Sequence, residues 1–107
     1  MHDARLLGRW QSNGPKTRRE IAARRDLTLT PAFGRLFGKL ELRFTRTRCY
    51  ITLKGQTRFQ RYVVLAKNAT SVATLSDGEI SHIHFEGSGF WIAAGNGKIR
   101  EFFRRVK

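Results

Sequence analysis

Leu6-Leu7-Gly8-Arg9-Trp10-Gln11-Ser12 places a glycine two residues before a tryptophan near the start of the chain. Ile99-Arg100-Glu101-Phe102-Phe103-Arg104-Arg105-Val106, near its end, combines aromatic and arginine residues. Trp buries a large apolar area and needs a partner for its indole N–H, and the glycine lets backbone or a ring approach closely. We therefore expect the first and last strands to pair and close a barrel, with Trp10 plugging one end.

From residue 39 to the end of the chain, apolar and polar residues alternate with a period of two, as in half-buried strands. Asp77-Gly78 and Gly95-Asn96-Gly97 are hairpin signals between such runs. With strand one, the pattern predicts eight strands, at residues 5–12, 39–46, 48–54, 58–66, 70–76, 80–86, 89–94 and 98–106. The expected fold is mainly β: one domain over residues 1–107, forming an eight-stranded antiparallel up-and-down β-barrel.

Two short helices are predicted between strands one and two. Thr17-Arg18-Arg19-Glu20 is a capping box that would start a helix over residues 17–25. Thr30-Pro31 would start a second helix that ends at Gly38, with Phe33, Leu36 and Phe37 on one apolar face. We expect that face to lie on the barrel mouth, where it either caps a pocket or extends the core. Residues 1–5 are expected to fray.

The chain has 21 Lys and Arg against eight Asp and Glu, a formal net charge of +13. Such a balance permits an anionic partner, although a solvated basic surface is the more common explanation. The single cysteine, Cys49, excludes an internal disulfide, and the absence of an apolar leader predicts a cytoplasmic protein. No apolar run is long enough to span a membrane as a helix.

Three features together resemble the calycin group, which comprises lipocalins and fatty-acid-binding proteins: Gly8-x-Trp10 on strand one, the helix pair after it, and the Arg-rich last strand. Three further segments look like a family of small bacterial lipocalin-like proteins of unknown function: Leu36-Phe37-Gly38-Lys39-Leu40, Ile83-His84-Phe85-Glu86-Gly87 and Phe102-Phe103-Arg104-Arg105-Val106. The resemblance implies that Trp10 lies near the closed end beneath a basic side chain of the last strand. It also implies an interior that holds an apolar ligand, although fatty-acid-binding proteins have ten strands, and a smaller barrel can be filled by its own side chains.

The expected function is therefore binding of a small apolar or anionic amphiphilic ligand inside the barrel. Arg100, Phe102 and Arg104 share one strand face, and if that face points inward an arginine can hold a carboxylate beside the Phe102 ring. Alternatively, one arginine stacks on Trp10 and the other is solvated. The candidate ligand-binding residues are Trp10, Phe33, Phe37, Phe44, Phe85, Arg100, Phe102 and Arg104. The wider set of expected inward residues is Leu40, Leu42, Phe44, Ile51, Leu53, Ile83, Phe85 and Phe102.

A basic surface that binds nucleic acid or an acidic protein is the alternative function. Phe90-Trp91 would stack bases, with at most one ring facing outward, while Arg43, Arg46 and Arg58 contact the phosphates. His82 and His84 share a strand face at a chelating spacing but lack an evident third ligand, so neither a metal nor a cofactor is expected. Cys49 fits a small apolar residue on an inward face better than a nucleophile. No pair of carboxylates suggests acid–base chemistry, and we expect no enzyme.

Overall fold

A computed structural model describes residues 1–24, 37–94 and 99–106. Nine strands and one helix lie within these ranges. The strands are β1 (Gly8–Ser12), β2 (Glu41–Phe44), β3 (Arg48–Leu53), β4 (Gln56–Arg61), β5 (Val63–Lys67), β6 (Ser71–Ser76), β7 (Glu79–Glu86), β8 (Gly89–Ala94) and β9 (Ile99–Val106). The helix, α1 (Gly14–Ala22), follows β1.

The nine strands form one antiparallel sheet in the order β4-β3-β2-β1-β9-β8-β7-β6-β5. The first and last strands pair as predicted, with Trp10 opposite Leu42 on one side and Arg105 on the other. The sheet therefore curls into a nearly closed barrel whose two edges, β4 and β5, are consecutive along the chain. The predicted mainly β, up-and-down barrel is confirmed.

The barrel has nine strands rather than eight because the run predicted at residues 58–66 is divided at Tyr62. The Tyr62 backbone N–H donates to the Thr47 carbonyl at 3.0 Å, and its hydroxyl donates to the Thr45 carbonyl at 2.5 Å. Its ring is buried edge-on against Phe44, with ring centroids 5.4 Å apart. Tyr62 is thus held by the β2–β3 connection, so the strand cannot continue through it.

Helix α1 begins three residues earlier than the capping box predicts. Asn13 is its N-cap, because the Asn13 side chain accepts a hydrogen bond from the Lys16 N–H, and Pro15 lies in the first turn, where proline is tolerated. Thr17 lies within the helix rather than at its N-cap, and its side chain is completely buried. Of the predicted second helix, only Phe37 and Gly38 lie within the described residues, where they form a turn and Phe37 is buried.

The closed end of the barrel contains Leu6, Trp10, Phe90 and Phe103, all of them buried. The Trp10 ring lies 4.5 Å from that of Phe90, which in turn stacks on Phe103 at 5.0 Å. The Trp10 indole N–H donates to the Leu6 carbonyl at 2.9 Å. The required partner of the buried indole is therefore supplied by the chain just before β1.

Residues 1–5 are not frayed, contrary to expectation. Asp3 is buried and forms an ion pair with Arg5 at 2.5 Å. The same guanidinium donates to the carbonyls of Asn68 and Ala69, each at 2.8 Å, and lies over the Phe85 ring. Asp3 and Arg5 thus attach the chain terminus to the β5–β6 connection.

Candidate functional site

The barrel contains a half-open cavity of about 710 Å³ that is lined mainly by apolar side chains. Alternation along β2 and β3 points every second residue inward, so the two strands supply one continuous wall. The opposite wall comes from β7, β8 and β9. The apolar lining residues are Leu40, Leu42, Phe44, Cys49, Ile51, Leu53, Tyr62, Ile83, Ile92, Ala93 and Phe103.

Apart from Glu101 on β9, the polar lining residues lie on strands β4, β6 and β7 and in the β3–β4 turn. Lys54 lies in the β3–β4 turn, and Arg58 lies on the inward face of β4, so two cations border the cavity. The other polar lining residues are Gln56, Thr57, Gln60, Thr74, Ser76 and Ser81. The cavity thus has an apolar body and a polar, cationic side at the sheet edge β4.

Glu101 is the acidic residue of the cavity lining among the described residues. The Ser12 hydroxyl donates to its carboxylate at 2.8 Å, and the Gly38 N–H donates to that hydroxyl at 3.0 Å. Burial raises the pKa of Glu101, and the Ser12 hydrogen bond offsets only part of that rise. The carboxyl group is therefore easier to protonate than an exposed glutamate.

Cys49 lies in the wall of this cavity with its side chain buried. Burial raises the pKa of its thiol to about 12. Because the thiolate is the nucleophilic form, this cysteine is unreactive at neutral pH and contributes apolar lining.

The structure places the predicted ligand-binding residues in different parts of the barrel. Phe44 lines the cavity, whereas Trp10 and Phe85 belong to the packed closed end and do not reach it. Phe37 is buried, and its carbonyl accepts a hydrogen bond from Arg18 at 3.2 Å. Phe33 lies outside the described residues.

Arg100, Phe102 and Arg104 face outward, so the inward orientation considered for them from sequence is wrong. The alternate residues of β9, Glu101 and Phe103, line the cavity instead. Phe102 is buried beneath α1, where its backbone N–H donates to Thr17 Oγ1 at 3.0 Å and Lys16 lies over its ring. Because α1 packs on Phe102 at the outer face of β9, the alternate residues Glu101 and Phe103 face the cavity.

The basic side chain over Trp10 is Arg105 rather than Arg100 or Arg104. Its guanidinium carbon lies 4.2 Å from the Trp10 ring centroid, and its nitrogens donate to the carbonyls of Leu7 and Arg5. Arg100 instead lies over the Trp91 ring at 4.6 Å, and Arg104 is exposed. The plug implied by the sequence is present, with a different arginine.

The outward side of β7 and β8 carries the histidines and one of the two candidate stacking rings. Phe90 is buried inside, while Trp91 is on the outer face and stacks on His84 at 4.0 Å. His82 and His84 have ring centroids 6.5 Å apart. Across residues 1–24, 37–94 and 99–106, no group of three His, Cys, Asp or Glu side chains is placed to hold a metal ion.

Sequence reasoning missed Glu101, Lys54, Arg58 and the polar residues around them as parts of the cavity. The alternation Gln56, Arg58, Gln60 was visible in the sequence, but a polar set usually faces solvent. Its inward position follows from the pairing of Arg58 with Ile51, which lines the cavity on β3. The strand register was needed to find these residues.

Comparisons with protein-family models, with curated proteins and with solved structures found no significant match. Within the described part of the chain, no helix has the length and apolarity needed to cross a membrane.

Proposed function

We propose that this barrel binds a small apolar or anionic amphiphilic ligand in its interior, in the manner of a lipocalin-like protein. The observation that carries the proposal is the 710 Å³ cavity with an apolar body and two cations on one side. Ligand sites are commonly concave, mostly apolar and of about 300–1,000 Å³, with a few polar groups that orient the ligand. A barrel filled by its own side chains would leave no such volume.

The lining suggests how such a ligand lies. Its apolar tail contacts Phe44, Ile51 and Phe103, and its anionic head group lies beside Arg58, with Lys54 nearby. An arginine pairs with a carboxylate through two parallel hydrogen bonds, the stronger form of this contact. Glu101 lies on the β9 wall, so the head group avoids it by lying at the β4 side.

The test is titration calorimetry of the protein with dodecanoate and, separately, with its methyl ester. Arg58→Gln removes a charge-assisted hydrogen bond worth about 1.5–3 kcal/mol, so it should weaken dodecanoate at least tenfold and leave the ester nearly unchanged. Arg104→Gln is the matched control, because it removes the same charge from an equally exposed position that does not line the cavity.

Native mass spectrometry of the same mixtures gives the stoichiometry, which should be one ligand per chain. If neither compound binds, the proposal fails. If Arg104→Gln weakens dodecanoate as much as Arg58→Gln does, the anion is attracted by the general surface charge and the interior site is excluded.

A further inference from the structure

The outer surface of strands β1 to β4 carries a basic and aromatic strip, none of whose side chains lines the cavity. Arg9, Arg43, Tyr50 and Phe59 lie directly opposite one another across the four strands. Adjacent strands are about 4.8 Å apart, so these four side chains form a continuous row across the sheet. Arg48 and Arg61 form a second row beside it on β3 and β4. We call these six residues the outer strip.

The outer strip contains two pairs of arginines at directly opposite positions on neighbouring strands. Arg9 is opposite Arg43, and Arg48 is opposite Arg61. Like charges directly opposite in a sheet are destabilising. Glu41 is the only acidic residue in these four strands, and it pairs with Arg9 at 2.6 Å. The Arg48–Arg61 pair thus retains a repulsion that a bound polyanion would relieve.

The same strip presents aromatic rings already in contact with arginines. Arg43 lies 4.1 Å from the Tyr50 ring centroid and Arg48 lies 4.8 Å from that of Phe59. The two rings are 5.7 Å apart, and Phe59 is 53% exposed. A shallow depression of about 400 Å³ lies beside them, lined by Arg9, Glu41, Arg43, Tyr50, Thr52 and Thr57.

We infer that the outer strip binds single-stranded nucleic acid, with phosphates on the arginines and a base stacked on Phe59. Exposed rings interleaved with cations are what such a ligand needs, because every base has a flat face and every linkage has a charge. An acidic peptide would use the arginines but leave the exposed ring without a function. A duplex keeps its bases stacked inside, where Phe59 cannot reach them from the sheet surface.

The experiment measures the fluorescence anisotropy of labelled oligothymidine, and of oligouridine of equal length, as the protein is added at several salt concentrations. Phe59→Ala removes the stacking ring and should weaken binding by about tenfold. Arg43→Gln and Arg48→Gln should each weaken binding and reduce the slope of log affinity against log salt by about 0.7, the value for one phosphate on a single strand.

Arg100→Gln is the matched control. Arg100 is also an outward arginine lying over an aromatic ring, that of Trp91, but it lies on β9, away from the strip. The control should bind oligothymidine like the unchanged protein. If it is weakened as much as Arg43→Gln, the interaction is spread over the whole basic surface or centred on Trp91, and the assignment to the outer strip is overturned.

Two further results would overturn the inference. One is the absence of oligonucleotide binding at low salt, with each variant shown to be folded by circular dichroism. The other is equal affinity for the single strand and for a duplex of the same length with no effect of Phe59→Ala, since stacking would then contribute nothing. Vesicles containing anionic lipid test whether the strip binds a charged membrane instead. If the protein binds these vesicles, if Arg43→Gln abolishes that binding, and if no oligonucleotide binds, then the strip is a membrane-binding surface and the inference is overturned.

Discussion

At the closed end, Gly8, Trp10 and Arg105 depend on one another. Gly8 has a φ of +119°, and a Cβ built on it would lie 2.6 Å from Arg105 Nη1. Any side chain at position 8 would therefore be strained and would displace the guanidinium that covers Trp10. The glycine-x-tryptophan spacing is explained by the arginine that passes over the glycine to reach the indole.

Trp10→Ala should lower the free energy of unfolding by about 3–5 kcal/mol, because it truncates a large, almost completely buried ring in the core. Trp91→Ala should cost clearly less, since that ring is on the outer face and only partly buried. Urea denaturation followed by far-ultraviolet circular dichroism measures both. Equal midpoints for Trp10→Ala and the unchanged protein would mean that Trp10 does not support the core.

Glu101→Gln should change how stability depends on pH. Burial holds the folded-state pKa of Glu101 above the ordinary value of 4.5, so the folded state binds this proton more tightly than the unfolded chain does. The stabilisation from protonated Glu101 is fully present below pH 4.5 and is lost as pH rises through the raised folded-state pKa. The glutamine variant has no such loss.

The measurement is urea denaturation of both proteins at a series of pH values from acidic to neutral. The stability of Glu101→Gln relative to the unchanged protein should rise with pH. A difference that stays constant, or falls, across the series would show that the pKa of Glu101 is not raised in the folded protein.

At the scale of elements, α1 follows directly after β1 and packs against β9. The Asn13 N–H donates to the Phe102 carbonyl at 2.7 Å, and the Phe102 N–H donates to Thr17 Oγ1 at 3.0 Å. The threonine hydroxyl thus satisfies a backbone donor that the short strand β1 leaves without a partner. The helix covers the outer face of Phe102 and holds β9 so that Glu101 and Phe103 face the cavity.

Thr17→Val should destabilise the protein by about 1–3 kcal/mol, because the isosteric valine leaves the buried Phe102 N–H without an acceptor. Thr17→Ser keeps the hydroxyl and should recover much of that loss, with a smaller cost for the missing methyl group. Thermal or urea unfolding compares the three proteins. The hydrogen bond would be unimportant if the valine variant were as stable as the serine variant.

At the scale of the whole molecule, the net charge of +13 opposes compaction. Ion pairs between described residues, such as Arg9 with Glu41, offset only a few of these charges. Within residues 1–24, 37–94 and 99–106, six cations lie over aromatic rings, including Arg43 over Tyr50 and Arg105 over Trp10. Cation–π contacts allow a strongly basic chain to use its arginines as packing groups without matching acids.

Raising the ionic strength with sodium chloride should raise the melting temperature, because mobile ions screen the repulsion among surface cations. Differential scanning calorimetry from low salt to physiological salt measures the effect. A melting temperature that falls as salt is added would mean that attractive pairs outweigh the net repulsion. In that case repulsion between the directly opposite arginines of the outer strip would lower the stability of the fold very little.

The sequence predicted most of the barrel because the evidence for it is local. The period-two alternation after residue 39 and the turn signal Asp77-Gly78 depend only on near neighbours, and the strands they predict are present. Gly8-x-Trp10 and the Arg-rich last strand predicted that the first and last strands pair. The division at Tyr62 was not predictable locally, because its hydrogen-bond partners, Thr45 and Thr47, are on another hairpin.

The sequence alone therefore determined the strand pattern apart from the division at Tyr62, the pairing of the two terminal strands and the strongly basic surface. Alternation also assigned Leu42, Ile51 and Ile83 to the interior, and all three line the cavity. Only the tertiary structure decided which face of β4 and of β9 points inward. On β9 both faces carry an aromatic and an arginine, so alternation could not choose between them, and the choice was made by α1 packing on Phe102. That contact turns Glu101 and Phe103 into the cavity and Arg100 and Arg104 to the outside, because a strand that buries one face under a helix must give the other to the barrel.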